Sequence, residues 1–256
     1  MATGPIVLVT GAAGGIGFEI VRTLLTELDG CVVASDIATG NLERLCSAHA
    51  DRLEVVVGDI TQEKTSIEAV SRAVDRFGGL TGVCLNAGVF GPCHRLHNSD
   101  PEKWTKAIQV NLMSHLYTLK HALPHLRQTH GKVIFTTSAA GQQALFAGWG
   151  FYGVSKASVA FEAKQLHLEE PSLTVLGLSP GLCDTKMVQD LMNGAHEGWS
   201  QEDAANYRKA FAGYELSKPE VVGRAYAYAV TKASREVSGS VLEYTAPEIQ
   251  GLISST

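Results

Sequence analysis

The chain has 256 residues, which fits one large domain or two smaller ones and is long enough to bury a substantial core. Hydrophobic residues make up 45% of it and charged residues 18%, and no apolar run reaches the roughly 18 residues of a membrane-spanning helix, which excludes disordered, collagen-like and transmembrane proteins. With 21 Lys and Arg against 26 Asp and Glu, the net charge is −5 and no basic run occurs, so neither nucleic acid nor a membrane is expected as a partner.

The chain has five cysteines, at positions 31, 46, 84, 93 and 183. No two of them form a Cys-x-x-Cys pair. The first residues run into a strand-like segment without a basic leader, and the last residues carry no peroxisomal or retention signal. We therefore expect reduced thiols and a cytoplasmic protein.

Apolar, β-branched runs alternate along the chain with segments of helical periodicity. Strands are predicted over residues 5–10, 31–35, 53–57, 80–85, 132–137, 173–178 and 240–244. Helices are predicted over residues 18–28, 66–77, 101–128 and 153–169. Strands separated by helices predict an α/β fold, a single Rossmann-type doubly wound parallel sheet of about seven strands with helices on both faces.

No linker, repeat or break in composition divides the sequence, so one domain over residues 1–256 is predicted. Residues 186–219 differ from the rest because they are polar, punctuated by glycine and longer than a usual connection. A capping-box-like sequence begins there at Ser200, and we predict a small helical flap. Its Trp199, Phe211 and Tyr214 either cover a bound substrate or pack the flap onto the body.

A glycine-rich turn at positions 10–17, Thr-Gly-Ala-Ala-Gly-Gly-Ile-Gly, separates the first predicted strand from the first helix. There, backbone amides and the helix N-terminus can receive a pyrophosphate, although such turns also serve tight packing alone. Asp36 ends the second strand 19 residues after Gly17, where a carboxylate binds adenosine ribose hydroxyls and repels a 2′-phosphate. Gly14 is not basic and no Lys or Arg follows Asp36 before Arg44, so NAD is favoured over NADP. The alternative for Asp36 is a turn residue or helix cap.

Tyr152 and Lys156 are four residues apart, which makes them neighbours on one helical face. A nearby ammonium favours the tyrosinate, so we expect Lys156 to lower the phenol pKa toward the working range of a general acid/base. Ser138 follows the strand predicted over residues 132–137 and emerges where ligands bind open α/β sheets. A surface pair is the alternative for Tyr152 and Lys156.

Together these motifs resemble the short-chain dehydrogenase/reductase family over nearly the whole chain. The resemblance implies a catalytic tetrad and a set of cofactor contacts. The implied tetrad is Asn111, Ser138, Tyr152 and Lys156. The implied cofactor contacts are Thr10, Gly11, Gly15, Ile16, Gly17, Asp36, Asp59, Ile60, Asn86, Ala87, Gly88, Tyr152, Lys156, Pro180, Gly181, Cys183 and Thr185.

The resemblance also implies a role for each tetrad member. Tyr152 exchanges a proton with the substrate oxygen, and Ser138 orients that oxygen. Lys156 lowers the Tyr152 pKa and holds the nicotinamide ribose, while Asn111 supports a water relay through Lys156.

Within that family, residues 148–152, 169–171 and 180–187 are most similar to the fungal benzil reductase and sepiapterin reductase branch. Members of that branch usually prefer NADPH and carry basic residues where this sequence has Gly14 and Asp36. We expect an NAD(H)-dependent oxidoreductase that interconverts a secondary alcohol and a ketone. The alternatives are an NADPH-dependent reductase of a diketone or pterin-like ketone, and a nucleotide-binding scaffold without catalysis.

Several histidines and cysteines are not assigned to a catalytic or metal site. His121 and His125 lack the acidic residue of a zinc motif, so no metal is predicted. His94 and His97 are either polar substrate contacts or solvated loop residues. Cys93 and Cys183 are assigned packing roles, the latter beside the cofactor. Helices over residues 106–128 and 153–169 carry surplus apolar residues and match family dimer faces, so a homodimer or homotetramer is expected.

Overall fold

The computed structural model describes residues 4–194, 196 and 198–254. Its strands are β1 (Ile6–Thr10), β2 (Cys31–Asp36), β3 (Leu53–Val57), β4 (Gly82–Leu85), β5 (Lys132–Thr136), β6 (Thr174–Ser179) and β7 (Val241–Glu243). All pair in parallel in one sheet of order β3-β2-β1-β4-β5-β6-β7. The predicted doubly wound, seven-stranded sheet is confirmed.

The helices are α1 (Gly15–Thr26), α2 (Glu43–Cys46), α3 (Glu63–Phe77), α4 (Pro101–Ile108), α5 (Ser114–Thr129), α6 (Gly150–Glu169), α7 (Lys186–Met192), α8 (Gln201–Ala210), α9 (Pro219–Lys232) and α10 (Pro247–Ser254). They cover both faces of the sheet, and alternate strand residues enter opposite cores. Val7 and Val9 pack with α1, α9 and α10, whereas Ile6 and Leu8 pack with α3, α5 and α6. Both faces are buried, which explains why the central strands are continuous apolar runs.

The order of the strands reverses beside β1, because β2 and β3 lie on one side of it and β4 to β7 on the other. Crevices at such a switch point, outside the carboxyl ends of the strands, are where open α/β sheets bind ligands. The loops after β1, β2, β4, β5 and β6 meet at this edge. Among the described residues, no helix is long and apolar enough to cross a membrane.

Two helix boundaries differ from the prediction in ways that affect the site. Helix α6 begins at Gly150 rather than at residue 153, because Gly153 N already donates to the Trp149 carbonyl at 2.9 Å. Three glycines in this segment weaken the helical signal. The predicted helix over residues 101–128 is interrupted by a π-helical turn, Gln109–Met113, which inserts one residue between α4 and α5.

The predicted flap contains α7 and α8, so its helical character is confirmed. Ser200 is the N-cap of α8, with its hydroxyl accepting from Asp203 N at 3.0 Å. Trp199 and Phe211 pack onto the body, whereas Tyr214 is mostly exposed. From the flap, Lys186, Met187 and Val188 at the start of α7 line one side of the crevice.

Candidate active site

A cavity of about 470 Å³ lies at the carboxyl ends of the strands. Most of the predicted cofactor contacts line it: Gly11, Gly15, Ile16, Asp36, Asp59, Ile60, Asn86, Ala87, Gly88, Tyr152, Lys156, Pro180, Gly181, Cys183 and Thr185. The sequence reasoning did not identify several further lining residues as contacts, among them Ser35, Ile37, Gly58, Val89, Val110, Thr136 and Val188. Those side chains are mainly small or apolar, and no charge pattern marks them in the sequence.

Two predicted cofactor contacts, Thr10 and Gly17, lie behind the cavity wall rather than on it. Thr10 is buried, and its hydroxyl accepts from the backbone amides of Asn86 and Ala87 at 3.1 Å each. A Cβ on Gly17 would stand 2.0 Å from the Gly11 carbonyl oxygen. Both residues pack against neighbouring backbone, and their direct contact with the cofactor stays a prediction.

The glycine turn is held in shape by the end of β4. Asn86 Nδ2 donates to the carbonyls of Thr10 and Gly11 at 3.1 and 3.0 Å. Gly11 has a φ of +63°, and a Cβ there would stand 2.8 Å from Ala87 Cα. A larger residue is therefore excluded at position 11 on both conformational and steric grounds. The result is a rigid loop beside the N-terminus of α1, where an anionic group is favoured.

Asp36 ends β2 at the cavity edge, and backbone amides fix its carboxylate. Oδ2 accepts from Ala13 N at 2.8 Å and Oδ1 from Ile37 N at 2.7 Å. Each carboxylate oxygen has a second lone pair, so both can still accept from ribose hydroxyls. A Cβ on neighbouring Gly14 would meet no atom within 4 Å, which leaves this corner open. Together with the glycine turn, the corner fits the adenosine half of a dinucleotide.

Tyr152 and Ser138 meet where β5 and α6 approach each other. Burial raises the pKa of the Tyr152 phenol, and a hydrogen bond with Ser138 opposes that shift. Lys156 is not among the causes of this shift, and the lowering of the Tyr152 pKa by Lys156 stays a prediction. The Lys156 ammonium donates to the Thr136 carbonyl at 2.7 Å and lies 5.8 Å from the Tyr152 ring centroid.

Lys156 is buried, and burial lowers its pKa to about 8. The 3₁₀ turn Ala139–Gly141 packs directly on its backbone, since a Cβ on Gly141 would lie 2.5 Å from the Lys156 carbonyl carbon. The Ser138 hydroxyl caps this turn by accepting from Ala140 N at 3.2 Å. The turn thus fixes Ser138 and Lys156 relative to one another.

Asn111 lies in the π-helical turn and is buried. Its side-chain amide donates to the Val89 carbonyl at 2.8 Å and to Ser155 Oγ at 3.1 Å, while its oxygen accepts from Val89 N at 2.8 Å. Asn111 therefore joins the segment after β4 to α6. The water relay implied by the family resemblance stays a prediction.

An aromatic cluster packs on Tyr152 and was largely missed by the sequence reasoning. We define it as Phe90, Phe146, Trp149, Tyr152, Trp199, Tyr207 and Phe211. Phe90 stacks on Tyr152 at 4.4 Å between ring centroids, and Trp149 lies 6.0 Å from it. Tyr207 is fully buried and contacts four of the other rings. Trp199 and Phe211 were predicted to face the substrate or pack the flap, and both join the cluster.

The comparison with protein families decides which family the chain belongs to. Residues 5–195 match the short chain dehydrogenase family. The chain belongs to that family. It is accordingly an oxidoreductase that uses a nicotinamide cofactor and acts on alcohol or ketone substrates.

This short chain dehydrogenase is similar to two yeast proteins and to one bacterial enzyme. It is 32% identical to the uncharacterized oxidoreductase YIR035C of Saccharomyces cerevisiae over 96% of this chain and 98% of the relative. The crystal structure of YIR035C superposes with a TM-score of 0.90 at 30% identity and covers 97% of this chain and 99% of its own. The benzil reductase ((S)-benzoin forming) IRC24 of the same yeast is 28% identical over 94% and 96% of the two chains. The 1,2-dihydroxy-1,2-dihydronaphthalene dehydrogenase of Pseudomonas putida is 31% identical over 71% of each chain.

The histidines and cysteines of this dehydrogenase were also considered as possible functional residues. No group of three or more metal-ligating side chains occurs within the part of the chain that the structure describes. His121 Nε2 instead forms a hydrogen bond with Glu63 at 2.9 Å. All five cysteines are free, and burial raises the pKa of both Cys93 and Cys183 to about 12. Cys183 lines the cavity, and its raised pKa keeps it a neutral thiol at physiological pH.

An ion pair fastens the flap of this dehydrogenase to its body. Arg95 follows β4 and donates to Asp203 of α8 through Nε–Oδ2 at 3.1 Å and Nη2–Oδ1 at 2.8 Å. Asp203 is buried, and the hydrogen bond from Arg95 lowers its pKa. The pair therefore persists as the pH falls, until the pH reaches that lowered pKa.

We expect Arg95→Ala to loosen the flap, because the buried Asp203 carboxylate loses its charged partner. Trypsin should cleave after Arg208 or Lys209 about tenfold faster, with cofactor affinity preserved. The matched control is Arg127→Ala, which breaks a similar pair with Glu170 away from the flap. Equal acceleration in both variants would show that the effect is global destabilisation.

Proposed function

We propose that this protein is an NAD(H)-dependent dehydrogenase that interconverts a secondary alcohol and a ketone, with Tyr152 as the general acid/base. The observation that carries the proposal is that one cavity is bordered by the Tyr152 phenol, the Lys156 ammonium and the Asp36 carboxylate. A single crevice thus contains a group that can transfer a proton to an oxygen and a carboxylate that can select an unphosphorylated ribose.

The cofactor would lie along the cavity with its adenosine end at β2. Asp36 would accept from the ribose hydroxyls, and Asp59 with Ile60 would border the adenine. The glycine turn would hold the pyrophosphate at the N-terminus of α1. The nicotinamide would reach the turn after β6, which is formed by Pro180, Gly181, Cys183 and Thr185.

Nicotinamide supplies a hydride acceptor or donor when it is bound. The residues of this chain control the accompanying proton. During ketone reduction, Tyr152 would give its phenolic proton to the developing alkoxide. During alcohol oxidation, it would take the proton from the alcohol hydroxyl. Ser138 would donate to the same oxygen, and Lys156 would hold the nicotinamide ribose.

An aromatic or cyclic substrate is supported by the rings that surround Tyr152. Two relatives carry names that denote such substrates, benzil and a dihydroxydihydronaphthalene. The similarity to a benzil reductase also favours the second candidate, an NADPH-dependent reductase of diketones. Asp36 favours the first candidate because it opposes a 2′-phosphate.

Paired titrations with NADH and NADPH, followed by protein-to-nicotinamide fluorescence transfer, separate these candidates. The first predicts tight NADH binding and turnover of cyclic or aromatic secondary alcohols with NAD. The second predicts that NADPH binds at least as tightly and that diketones are reduced. Binding of neither cofactor would contradict both.

We further propose that the protein works in the cytoplasm as a homodimer or homotetramer that pairs through α5 and α6. Val154, Phe161 and Leu168 are spaced seven residues apart along α6 and are 52, 66 and 73% exposed. Such spacing forms one apolar stripe along a helix, and Leu116 of α5 adds to the exposed apolar surface. A second copy of the same face would cover the stripe.

We expect Phe161→Asp to convert the assembly to a smaller species, because a carboxylate at the centre of the stripe would be buried without a partner. Light scattering coupled to size-exclusion chromatography measures the mass. Ile67→Asp, at an exposed position of α3, is the control. An unchanged mass for Phe161→Asp would exclude this face as the interface.

A further inference from the structure

The cavity that fits the dinucleotide is lined by two carboxylates and two lysines. Among the described residues that border it, the charged side chains are Asp36, Asp59, Lys156 and Lys186. Lys156 is buried, its ammonium already donates to the Thr136 carbonyl at 2.7 Å, and burial lowers its pKa to about 8. Of these four groups, Lys186 is therefore the exposed cation that can balance an added negative charge.

A nicotinamide dinucleotide brings two negative charges into this cavity, one on each phosphate of its pyrophosphate. The backbone amides of the glycine turn can donate to these phosphates, but amides carry no net charge. The two carboxylates of the same cavity oppose the approach of an anion. A lysine beside the glycine turn would offset this repulsion through a charge-assisted hydrogen bond.

Lys186 lies next to the glycine turn in the fold. It begins α7 directly after Thr185, and Thr185 Cγ2 would stand only 3.1 Å from a Cβ on Gly15. Successive Cα atoms are about 3.8 Å apart, and a lysine carries its ammonium on a flexible four-carbon stem. Rotation of that stem can therefore bring the Lys186 ammonium over the turn where the pyrophosphate would lie.

Asp190, one turn further along α7, holds the Lys186 ammonium in the structure. Lys186 Nζ is 2.8 Å from each carboxylate oxygen of Asp190. The Lys186 side chain is 86% exposed, and exposed pairs four residues apart on a helix contribute little to stability. A pyrophosphate, which carries two charges, can thus compete with Asp190 for the ammonium.

We propose that Lys186 exchanges Asp190 for the cofactor pyrophosphate, so that Lys186 strengthens and Asp190 weakens the binding of either nicotinamide cofactor. This inference rests on the proposed function and adds to it a phosphate-binding residue and a competing carboxylate. NADH and NADPH share the pyrophosphate, so Lys186 raises the affinity for both. Asp36, by contrast, discriminates between them.

The test compares Lys186→Met, which removes the charge but keeps a long side chain, with Asp190→Asn. Lys186→Met should weaken NADH and NADPH binding about tenfold each in fluorescence-transfer titrations. Asp190→Asn should strengthen both about twofold, because the competing charge is lost. Lys186→Arg should retain most of the affinity. Lys209→Met, at an exposed position of α8 outside the cavity, controls for net charge.

Displacement of NADH by two fragments of the cofactor locates the effect on the ligand. Lys186→Met should weaken the binding of ADP-ribose, which carries the pyrophosphate, about tenfold and leave the binding of adenosine within about twofold. Raising the ionic strength should reduce the difference in NADH affinity between Lys186→Met and the unaltered protein, because salt screens an exposed charge.

A purely structural role for the ion pair predicts a different pattern. Both Lys186→Met and Asp190→Asn would then weaken cofactor binding, because each removes the same contact from α7. That pattern, an unchanged affinity in Lys186→Met, or an equal loss for adenosine would overturn the exchange. The proposed function would stand in each of these cases, since the unaltered protein still binds the cofactor. Binding of neither NADH nor NADPH by the unaltered protein would contradict both.

Discussion

Replacing Tyr152 with phenylalanine should lower turnover by about 10²-fold or more in both directions. The variant keeps the ring that stacks on Phe90 at 4.4 Å and removes only the phenolic oxygen. Hydride transfer then proceeds without a positioned proton donor for the alkoxide. Cofactor affinity should change little, because Asp36 and the glycine turn provide the adenosine contacts.

The matched control is Tyr214→Phe, which removes the hydroxyl of an exposed flap tyrosine that contacts Phe211. Steady-state kinetics on both variants, with NADH titrations alongside, separate chemistry from binding. Retention of full turnover by Tyr152→Phe would remove Tyr152 from the catalytic role. Absence of any turnover in the unaltered protein, together with tight cofactor binding, would favour a nucleotide-binding scaffold.

The second large effect concerns the choice of cofactor. We expect Asp36→Ala to weaken NADH binding and to strengthen NADPH binding about tenfold, since removing the carboxylate removes its repulsion of the 2′-phosphate. The substitution also frees Ala13 N and Ile37 N, the two amides that now donate to the carboxylate. Those amides can then donate to the phosphate.

Adding Gly14→Arg to Asp36→Ala should increase the preference for NADPH further. Gly14 caps α1 with an extended φ of −160°, and the space beyond its Cα is open, so an arginine fits without backbone strain. Asp51→Ala removes an exposed carboxylate outside the cavity and controls for net charge. An unchanged ratio of NADH to NADPH affinity in Asp36→Ala would show that another residue discriminates the cofactors.

The sequence predicted the features that depend on local pattern. Alternation of strands and helices predicted the sheet, and β3 was placed at its observed bounds. Most of the predicted cofactor contacts line the cavity, because many of them follow the end of a strand directly. Thr10 and Gly17 do not line the cavity, because both pack against neighbouring backbone, and their contact with the cofactor stays a prediction.

The features that were missed depend on contacts between distant segments. Tyr207 and Phe90 are unremarkable in sequence. Docking of the flap brings Tyr207 into the cluster, and the segment after β4 brings Phe90 onto Tyr152. The pKa of Tyr152 was predicted from its spacing to Lys156 alone. Burial of both groups, and the Thr136 carbonyl that holds Lys156, are tertiary effects that spacing does not reveal.

The π-helical turn at Gln109–Met113 makes the length of this segment as important as its composition. Its extra residue offsets α4 from α5 by one position, and Asn111 reaches Val89 and Ser155 from that offset. Losing one residue here would restore a regular helix and turn one flank relative to the other by about 100°. A single-codon deletion would then misalign the active site while leaving every predicted catalytic residue in the chain. Surface loops elsewhere in the fold should tolerate the same deletion far better.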